Sequence, residues 1–133
     1  MNDAALPVLD AAGLVRLAQA NAGPSCPACV SIRAPGWEAM PTTLDRAVLR
    51  PVATLRRPDV EDPTLEEYHP AGTHGWSPQA PVAPRFFPYN RCEVCECRQC
   101  RRPFLRYTEY GGYYQEERVR ELDAALVVDA PLP

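Results

Sequence analysis

The six cysteines of this 133-residue chain restrict its fold more than any other feature of the sequence. They form three Cys-x-x-Cys pairs, namely Cys26 with Cys29, Cys92 with Cys95, and Cys97 with Cys100. A Cys-x-x-Cys turn places two sulfur atoms on one side of a tight loop, where both can contact one metal ion. Two such turns supply the four thiolates of a tetrahedral site, which suits Zn²⁺ or, less often, iron.

The redox state of these thiols follows from where the chain is expected to reside. The N-terminus opens with Asp3 and lacks the basic start of a secretory signal peptide, so we expect a cytoplasmic protein. Thiols stay reduced in that compartment, and clustered pairs then favour metal over disulfides. No apolar run approaches the roughly 18 residues of a membrane helix, so no membrane partner is expected.

Two of the three pairs are predicted to hold the metal. The second pair of the site is assigned to Cys97 and Cys100 because these residues lead directly into an aromatic-rich strand that begins near Phe104. Between Cys29 and Cys97 lie 67 residues, a tolerable separation because the entropy of loop closure grows only logarithmically. We therefore expect one structural Zn²⁺ bound by Cys26, Cys29, Cys97 and Cys100.

The remaining pair has two interpretations. In a strand, Cys95 and Cys97 point to the same face, so Cys95 would be a small buried hydrophobic residue. Alternatively, six cysteines and two histidines make eight ligands, the number needed for two four-ligand zinc ions. The second site would then consist of Cys92, Cys95, His69 and His74.

Proline limits the regular secondary structure, since 16 of the 133 residues are proline. Each one fixes φ and removes a backbone donor, so long helices and broad sheets are not expected. One short amphipathic helix is predicted over residues 10–22, with Asp10 as its N-cap and Gly23-Pro24 as its stop. Residues 24–58 are expected to hold the first cysteine turn and irregular strands, including Thr42–Leu44.

The C-terminal half is predicted to contain a strap and a hairpin. Residues 59–90 are rich in proline, but their aromatic side chains favour an ordered strap over the core. Residues 91–128 carry the second cysteine turn and two strands joined at Gly111-Gly112. The fold class is therefore a small, β-rich α+β protein, with residues 1–133 in a single domain.

Taken together, the two cysteine turns and the hairpin resemble a zinc ribbon. Cys26-Pro27-Ala28-Cys29 matches one zinc knuckle, Cys97-Arg98-Gln99-Cys100 matches the other, and residues 104–119 match the ribbon. The resemblance implies a structural four-cysteine zinc. Zinc ribbons commonly carry glycine after the second cysteine of a knuckle, whereas Val30 and Arg101 occupy those places here. The segment FLRYTEYGGYY is also similar to small uncharacterised bacterial proteins, a similarity that implies no activity.

Charge is distributed unevenly along the chain. Fourteen arginines and no lysine oppose 17 acids, and the net charge of −3 excludes a uniformly basic nucleic-acid coat. Residues 85–106 nevertheless hold six arginines and two acids. Beside the aromatic residues, four of them would contact phosphates and bases: Arg98, Arg101, Arg102 and Arg106. The alternative is internal pairing across the hairpin with Glu109, Glu116, Glu117 and Glu121.

Four tyrosines surround the predicted hairpin turn, namely Tyr107, Tyr110, Tyr113 and Tyr114. Because only one face of a hairpin can pack on the core, some of these rings must be exposed. Tyrosine is enriched at protein interfaces, where it combines a large contact area with a hydroxyl group. The alternative is that cross-strand pairing of the rings only stabilises the hairpin.

No enzyme motif accompanies the cysteines. The chain has no His-Glu-x-x-His, no phosphate-binding loop and no Gly-x-Gly-x-x-Gly, and Glu66 to His69 have no partner nucleophile. An all-cysteine zinc site is closed, whereas hydrolytic zinc keeps an open position. We therefore expect a non-enzymatic, zinc-stabilised protein-interaction module without catalytic residues. The alternative is a zinc-ribbon protein that binds nucleic acid through arginine and tyrosine.

Overall fold

The computed structural model describes residues 6–21, 23–24 and 26–133. Its centre is an antiparallel sheet of five strands in the spatial order β1-β5-β4-β3-β2. The strands are β1 (Glu38–Ala39), β2 (Leu49–Thr54), β3 (Glu93–Cys97), β4 (Pro103–Tyr110) and β5 (Gln115–Glu121). With one α-helix in the described ranges, this architecture confirms the predicted β-rich α+β class.

The N-terminal helix, α1, spans Ala11–Ala20. It begins as predicted, because the Asp10 carboxylate accepts a hydrogen bond from the backbone N–H of Gly13 at 2.8 Å. Leu14 and Ala18 form the buried face of α1. Residue 22, the predicted end, lies outside the described residues. Within those residues, no helix is both long and apolar enough to cross a membrane.

Side chains on both faces of the sheet are buried. Neighbouring residues of a strand point to opposite faces, and on β4 Leu105 and Phe104 therefore enter two different apolar clusters. The Leu105 cluster includes Leu14 of α1 and Val82 of the strap. The Phe104 cluster instead includes Cys29 and other residues near the first cysteine turn. The helix with the strap covers one face, and the segment after α1 covers the other.

Several predicted elements take another form. Thr42–Leu44 lies in a turn in which the N–H of Leu44 donates to Pro41, not in a strand. The start of the strap, at Asp62-Pro63, is irregular. Its backbone carbonyls accept side-chain bonds, with Arg91 donating to Pro63 O at 2.9 Å and Asn90 donating to Thr64 O at 2.9 Å. These long-range bonds satisfy groups that a helical turn would otherwise pair locally.

The proline-rich strap is tied to the rest of the protein by backbone hydrogen bonds. Val82 donates to Leu126 O at 2.9 Å and accepts from the N–H of Val128 at 3.0 Å. Val82, Ala83 and nearby side chains of the strap are buried. The segment over residues 126–128 is joined to the strap by this single bridge between Val82 and Val127.

A buried arginine on β5 fastens the strap to the sheet. The Arg120 side chain is completely buried and donates to Pro35 O at 3.1 Å, to Pro78 O at 3.2 Å and to Ala80 O at 2.8 Å. It also donates to the hydroxyl of Tyr89. A buried guanidinium needs acceptors for its five N–H groups, and here they come from the loop before β1 and from the strap, including Tyr89. Arg120 thus joins β5 to the loop before β1 and to the strap.

Candidate metal centre

The first cysteine turn follows α1 and begins at Cys26. The N–H of Cys29 donates to Cys26 O at 3.2 Å, which closes the turn, and the N–H of Ile32 donates to Cys29 O at 3.1 Å. The second bond starts a 3₁₀ turn over Val30–Ile32. Ile32 is buried in the same apolar cluster as Cys29 and thereby anchors the turn to the sheet.

The second cysteine turn connects β3 to β4. Its first cysteine, Cys97, is the last residue of β3 and pairs with Leu49 of β2. The N–H of Cys97 donates to Arg102 O at 2.9 Å, and the N–H of Arg101 donates to Cys97 O at 2.8 Å. The turn is therefore fixed at both ends by the sheet, which gives its two sulfur atoms a rigid base.

The four predicted ligands come together in one cluster. The Sγ atoms of Cys26 and Cys97 are 3.5 Å apart, as are those of Cys29 and Cys100, and the Sγ atoms of Cys26 and Cys29 are 3.9 Å apart. All four Sγ atoms lie within 4.8 Å of one another. The cluster brings together two chain segments that are separated in the sequence by β1, β2, the strap and most of β3.

These distances fit a tetrahedral metal site. Four sulfur atoms at about 2.3 Å from one Zn²⁺ have edges of about 3.8 Å, close to the Sγ separations observed here. All four cysteines are free thiols, with Cys29 and Cys97 buried and Cys26 and Cys100 half-buried. A compact set of four soft sulfur donors is the chemistry that zinc and iron prefer. The residues can therefore hold a metal ion.

The thiols of the cluster differ in acidity. Burial raises the pKa of Cys29 to about 12 and also raises the pKa of Cys97. Partial burial acts in the same direction on Cys26, but hydrogen bonds from the Cys97 thiol and from nearby backbone N–H groups outweigh it and lower the pKa to about 7. Neighbouring thiols thus stabilise one thiolate, whereas a fully ionised set of four requires the positive charge of a metal.

The residue after the second turn has an unusual backbone conformation. Arg101 has φ +65°, in the left-handed region that favours glycine. Zinc ribbons commonly carry glycine at this position, and Arg101 has a backbone conformation that glycine adopts readily. The arginine carries a cost of about 1–2 kcal/mol from its Cβ atom.

The other two cysteines are buried hydrophobic residues. Cys95 lies on β3 in the same apolar cluster as Cys97, as the strand interpretation predicts. Cys92 belongs to the cluster on the opposite face, and its thiol donates to Pro88 O at 3.4 Å. Burial raises the pKa of Cys95 to about 11 and that of Cys92 well above its usual value. Both are therefore thiols, not thiolates, at neutral pH.

The two histidines are engaged locally in the strap. His69 uses both ring nitrogens, with Nδ1 2.7 Å from Thr73 Oγ1 and Nε2 2.8 Å from Glu67 Oε1. The Nδ1 atom of His74 accepts from the N–H of Trp76 at 3.2 Å. Among the described residues, the four-cysteine cluster is the one group that could hold a metal. The structure does not bring Cys92, Cys95, His69 and His74 together.

The four tyrosines divide into two classes. Tyr107 is only 6% exposed and packs edge-on against Trp37, with ring centroids 4.8 Å apart. It is a core residue, which corrects its assignment to a partner surface. Tyr110, Tyr113 and Tyr114 are exposed and lie in the tip of the β4–β5 hairpin, residues 110–114. The tip is longer than the predicted two-residue turn, since Tyr110 pairs with Gln115.

The arginines near the second turn are mostly engaged within the protein. Arg102 pairs with Glu121, and Arg106 Nη2 lies 2.7 Å from Glu93 Oε1. Arg98 Nε donates to Ala47 O at 2.6 Å, whereas the Arg101 side chain has no hydrogen bond or ion pair with any described residue. Internal pairing was one of the two interpretations, and Arg102 with Glu121 follows it across the hairpin. Arg106 instead pairs with β3.

No pattern in the sequence marks Arg118 or Trp76 as a site residue. Arg118 of β5 lies over the Trp76 ring, with its guanidinium carbon 4.5 Å from the ring centroid. Arg118 also contacts Glu109 and Glu116 at 3.1 and 2.9 Å. The alternation of charges along β5 gave a signal for cross-strand ion pairs, but no local pattern linked β5 to a tryptophan 42 positions earlier.

Comparison with known proteins gives no relative for this chain. No family model, no curated protein and no solved structure matches it. The resemblance to zinc ribbons is therefore limited to a four-cysteine cluster between two turns beside a β-hairpin. The chemistry of the chain's own residues is the basis for a functional proposal.

Proposed function

We propose that this protein is a zinc-stabilised protein-interaction module. Cys26, Cys29, Cys97 and Cys100 hold one structural Zn²⁺, and the hairpin tip contacts a protein partner. The observation that carries the proposal is the close approach of four sulfur atoms from two turns that are far apart in the chain. Such a site contributes its metal-binding energy to folding, because the ligands come together only in the folded chain.

The donor set favours a structural role over catalysis. Four thiolates complete the tetrahedral coordination of zinc and leave no position for a water molecule or substrate. Two of the sulfur donors are buried, and the turn that carries Cys97 is held by backbone hydrogen bonds. A rigid, closed site of this kind organises the chain around it. The metal therefore positions surfaces, and function resides in what those surfaces contact.

The tip is the surface best suited to a protein partner. Tyr110 and Tyr113 are 69% and fully exposed, and Tyr114 is more than half exposed. Three aromatic rings on a short segment offer large contact areas with little conformational entropy to lose. The β4–β5 pairing extends to Tyr110, whereas the pairing of β3 with β4 reaches only Arg106, so the tip projects beyond the neighbouring strand.

Nucleic-acid binding is the second candidate. Its support comes from Arg98 and Arg101, which are exposed beside the second cysteine turn. The ion pairs of Arg102 and Arg106 weigh against it, since a phosphate would have to compete with Glu121 and Glu93. If nucleic acid is the partner, binding falls steeply with salt and weakens when Arg98 and Arg101 become alanine. If the partner is a protein that contacts the hairpin tip, both substitutions should leave its binding unchanged.

Metal content is the first test of the proposal. Untagged protein purified without chelator is analysed for its elements, and about one zinc per chain is expected. Iron in place of zinc would change the metal but keep the ligands. Protein with no metal and six titratable thiols would overturn the proposed site. About two metal ions per chain would require ligands beyond the four-cysteine cluster.

Site-specific crosslinking in cells tests the tip. A photoreactive amino acid replaces Tyr113, and the matched control places it at Leu65, which is also highly exposed but lies in the strap. We expect a discrete protein adduct from position 113 and none from position 65. That adduct should disappear when Tyr110 and Tyr114 are both changed to serine. Equal labelling from both positions, or adducts to nucleic acid alone, would contradict the proposed partner class.

A further inference from the structure

An aromatic cavity lies between the strap and the β4–β5 hairpin, on the face of the sheet that α1 and the strap cover. It has a volume of about 90 Å³. Drug-sized ligands occupy pockets of about 300–1,000 Å³, so this cavity has room for a single small headgroup. Four aromatic rings line it: Trp37, Trp76, Phe87 and Tyr107.

The rings form a buried floor and a solvent-exposed side. Trp37 and Tyr107 are almost completely buried and pack edge to face. Phe87 also meets Tyr107 edge-on, with ring centroids 6.0 Å apart, and Trp76 is 49% exposed. Trp76 therefore combines an exposed ring surface with a position in the lining of the cavity.

The charges around the cavity attract a cation. Its lining includes the carboxylates of Glu67 and Glu109 and one guanidinium, that of Arg118. These three groups sum to one negative charge, and Glu116 adds another acid beside Arg118. The cavity already stacks one cation, because Arg118 lies over the Trp76 ring. This contact shows that the Trp76 ring attracts positive charge, with Arg118 covering one of its faces.

The hydrogen bonds around the cavity distinguish between an unmodified ammonium and an alkylated ammonium as its ligand. Glu109 Oε1 already accepts from Tyr107 Oη and from Arg118, both at 3.1 Å. Glu67 Oε1 is engaged by His69 Nε2 at 2.8 Å. A cation that needs several acceptors, such as an unmodified ammonium, finds half of the carboxylate oxygens occupied. An alkylated ammonium is held instead by π faces and by net negative charge, and it needs no acceptors.

We propose that this cavity binds an alkylated ammonium headgroup, with Trp76 as its principal contact and Glu67 as its charge partner. Such a headgroup occurs on free small molecules and on methylated lysine side chains, and the two share the same recognition chemistry. No cysteine lines the cavity, so the proposal stands apart from the metal centre.

Tetramethylammonium is the probe for the first experiment. Trp37 and Trp76 are the two tryptophans of the chain, and both line the cavity, so intrinsic fluorescence reports on it directly. We expect a saturable change with tetramethylammonium chloride that sodium chloride at equal ionic strength does not produce. Ammonium chloride should bind at least about fivefold more weakly. No saturable change, or equal binding of ammonium, would overturn the proposal.

Two variants locate the site. Trp76→Leu keeps Trp37 as the reporter and should weaken tetramethylammonium binding about fivefold, since one cation–π contact is lost. Glu67→Gln should weaken it as well, whereas Glu61→Gln, an equal loss of charge elsewhere in the strap, should not. Because Trp76 is 49% exposed and the Glu67 side chain is 42% exposed, both variants should keep a melting temperature close to that of the unchanged protein. Unchanged affinity in Trp76→Leu would show that the cation binds elsewhere.

The source of the headgroup is distinguished by comparing ligands. Choline represents a free small molecule, and a short peptide with one trimethylated lysine represents a protein partner. Tighter binding of the peptide than of choline assigns the headgroup to a polypeptide, and exclusion of the peptide assigns it to a free molecule. Equal binding of the unmethylated peptide would contradict recognition of the alkyl groups.

Discussion

The Sγ atom of Cys26 lies 3.5 Å from the Sγ atom of Cys97, although 71 positions separate the two residues in the chain. Cys29 and Cys100 repeat the relationship with the same distance and the same separation. The first cysteine of one motif therefore lies close to the first cysteine of the other, and the two second cysteines also lie close together. A metal ion held between them would join the segment after α1 to the β3–β4 connection and would stabilise a long-range contact.

Replacing Cys97 by alanine should remove the metal and destabilise the fold. Zinc binding in small domains contributes about 10–16 kcal/mol, as much as the whole net stability of a typical domain. We therefore expect Cys97→Ala to contain no metal and to melt more than about 10 °C below the unchanged protein. Elemental analysis and thermal unfolding followed by circular dichroism measure the two effects.

Cys95→Ala is the matched control for that variant. Cys95 lies two residues earlier on β3, in the same apolar cluster, but outside the group of four. The substitution should cost about 1–2 kcal/mol from the lost sulfur packing and leave the metal content unchanged. Loss of metal from Cys95→Ala, or its retention in Cys97→Ala, would contradict the ligand assignment.

Zinc affinity should rise steeply with pH. The raised pKa values of Cys29, about 12, and of Cys97 keep both thiols protonated at pH 8, so binding releases at least about two protons. Cys26, with a pKa of about 7, adds a third proton as the pH falls below 7. Competition with a chelator of known affinity, from pH 6 to pH 8.5, measures the slope. An affinity independent of pH would contradict thiolate coordination.

Glycine at position 101 should stabilise the protein. Arg101 has a positive φ, and glycine removes the Cβ clash of about 1–2 kcal/mol at an entropic cost of about 0.5–1 kcal/mol. Arg101→Gly should therefore raise the free energy of unfolding by about 0.5–1 kcal/mol. Arg101→Val loses the same charge but should lower it, because β-branched residues resist this conformation. Urea denaturation of the metal-bound forms tests both, and equal stability of the two variants would refute the backbone argument.

Replacing Arg120 should loosen the strap. Arg120→Met has a similar length but cannot donate, so it leaves three backbone carbonyls and the Tyr89 hydroxyl without their buried partner. The free energy of unfolding should fall by at least about 3 kcal/mol. Limited proteolysis should then cut the strap near residues 78–80 faster than in the unchanged protein.

Tyr89→Phe is a milder change in the same hydrogen-bond network and serves as the control for Arg120→Met. Tyr89→Phe removes the hydroxyl that accepts from Arg120 and from Trp37 but keeps the ring. Arg120 retains its three carbonyl partners, so the expected cost is about 1–2 kcal/mol. If Arg120→Met is no less stable than Tyr89→Phe, the guanidinium does not hold the strap.

Local sequence signals predicted the elements that depend on local chemistry. The N-terminal helix follows from Asp10 as a cap and from apolar residues at helical spacing, and it begins where the cap predicts. The four-cysteine cluster follows from the spacing within two turns, since a Cys-x-x-Cys turn presents two sulfur atoms whatever surrounds it. Helix capping and turn geometry involve neighbouring residues, so the sequence displays them directly.

The sequence by itself determined the cysteine turns, the cap of α1 and the β4–β5 hairpin. Only the tertiary structure decided that Tyr107 is buried, that Arg120 holds the strap, and that Trp76 meets Arg118 beside a cavity. These outcomes depend on which face of a strand another segment covers. Alternation along a strand shows that two faces exist, but which face is covered, and by what, follows from contacts between residues far apart in the chain.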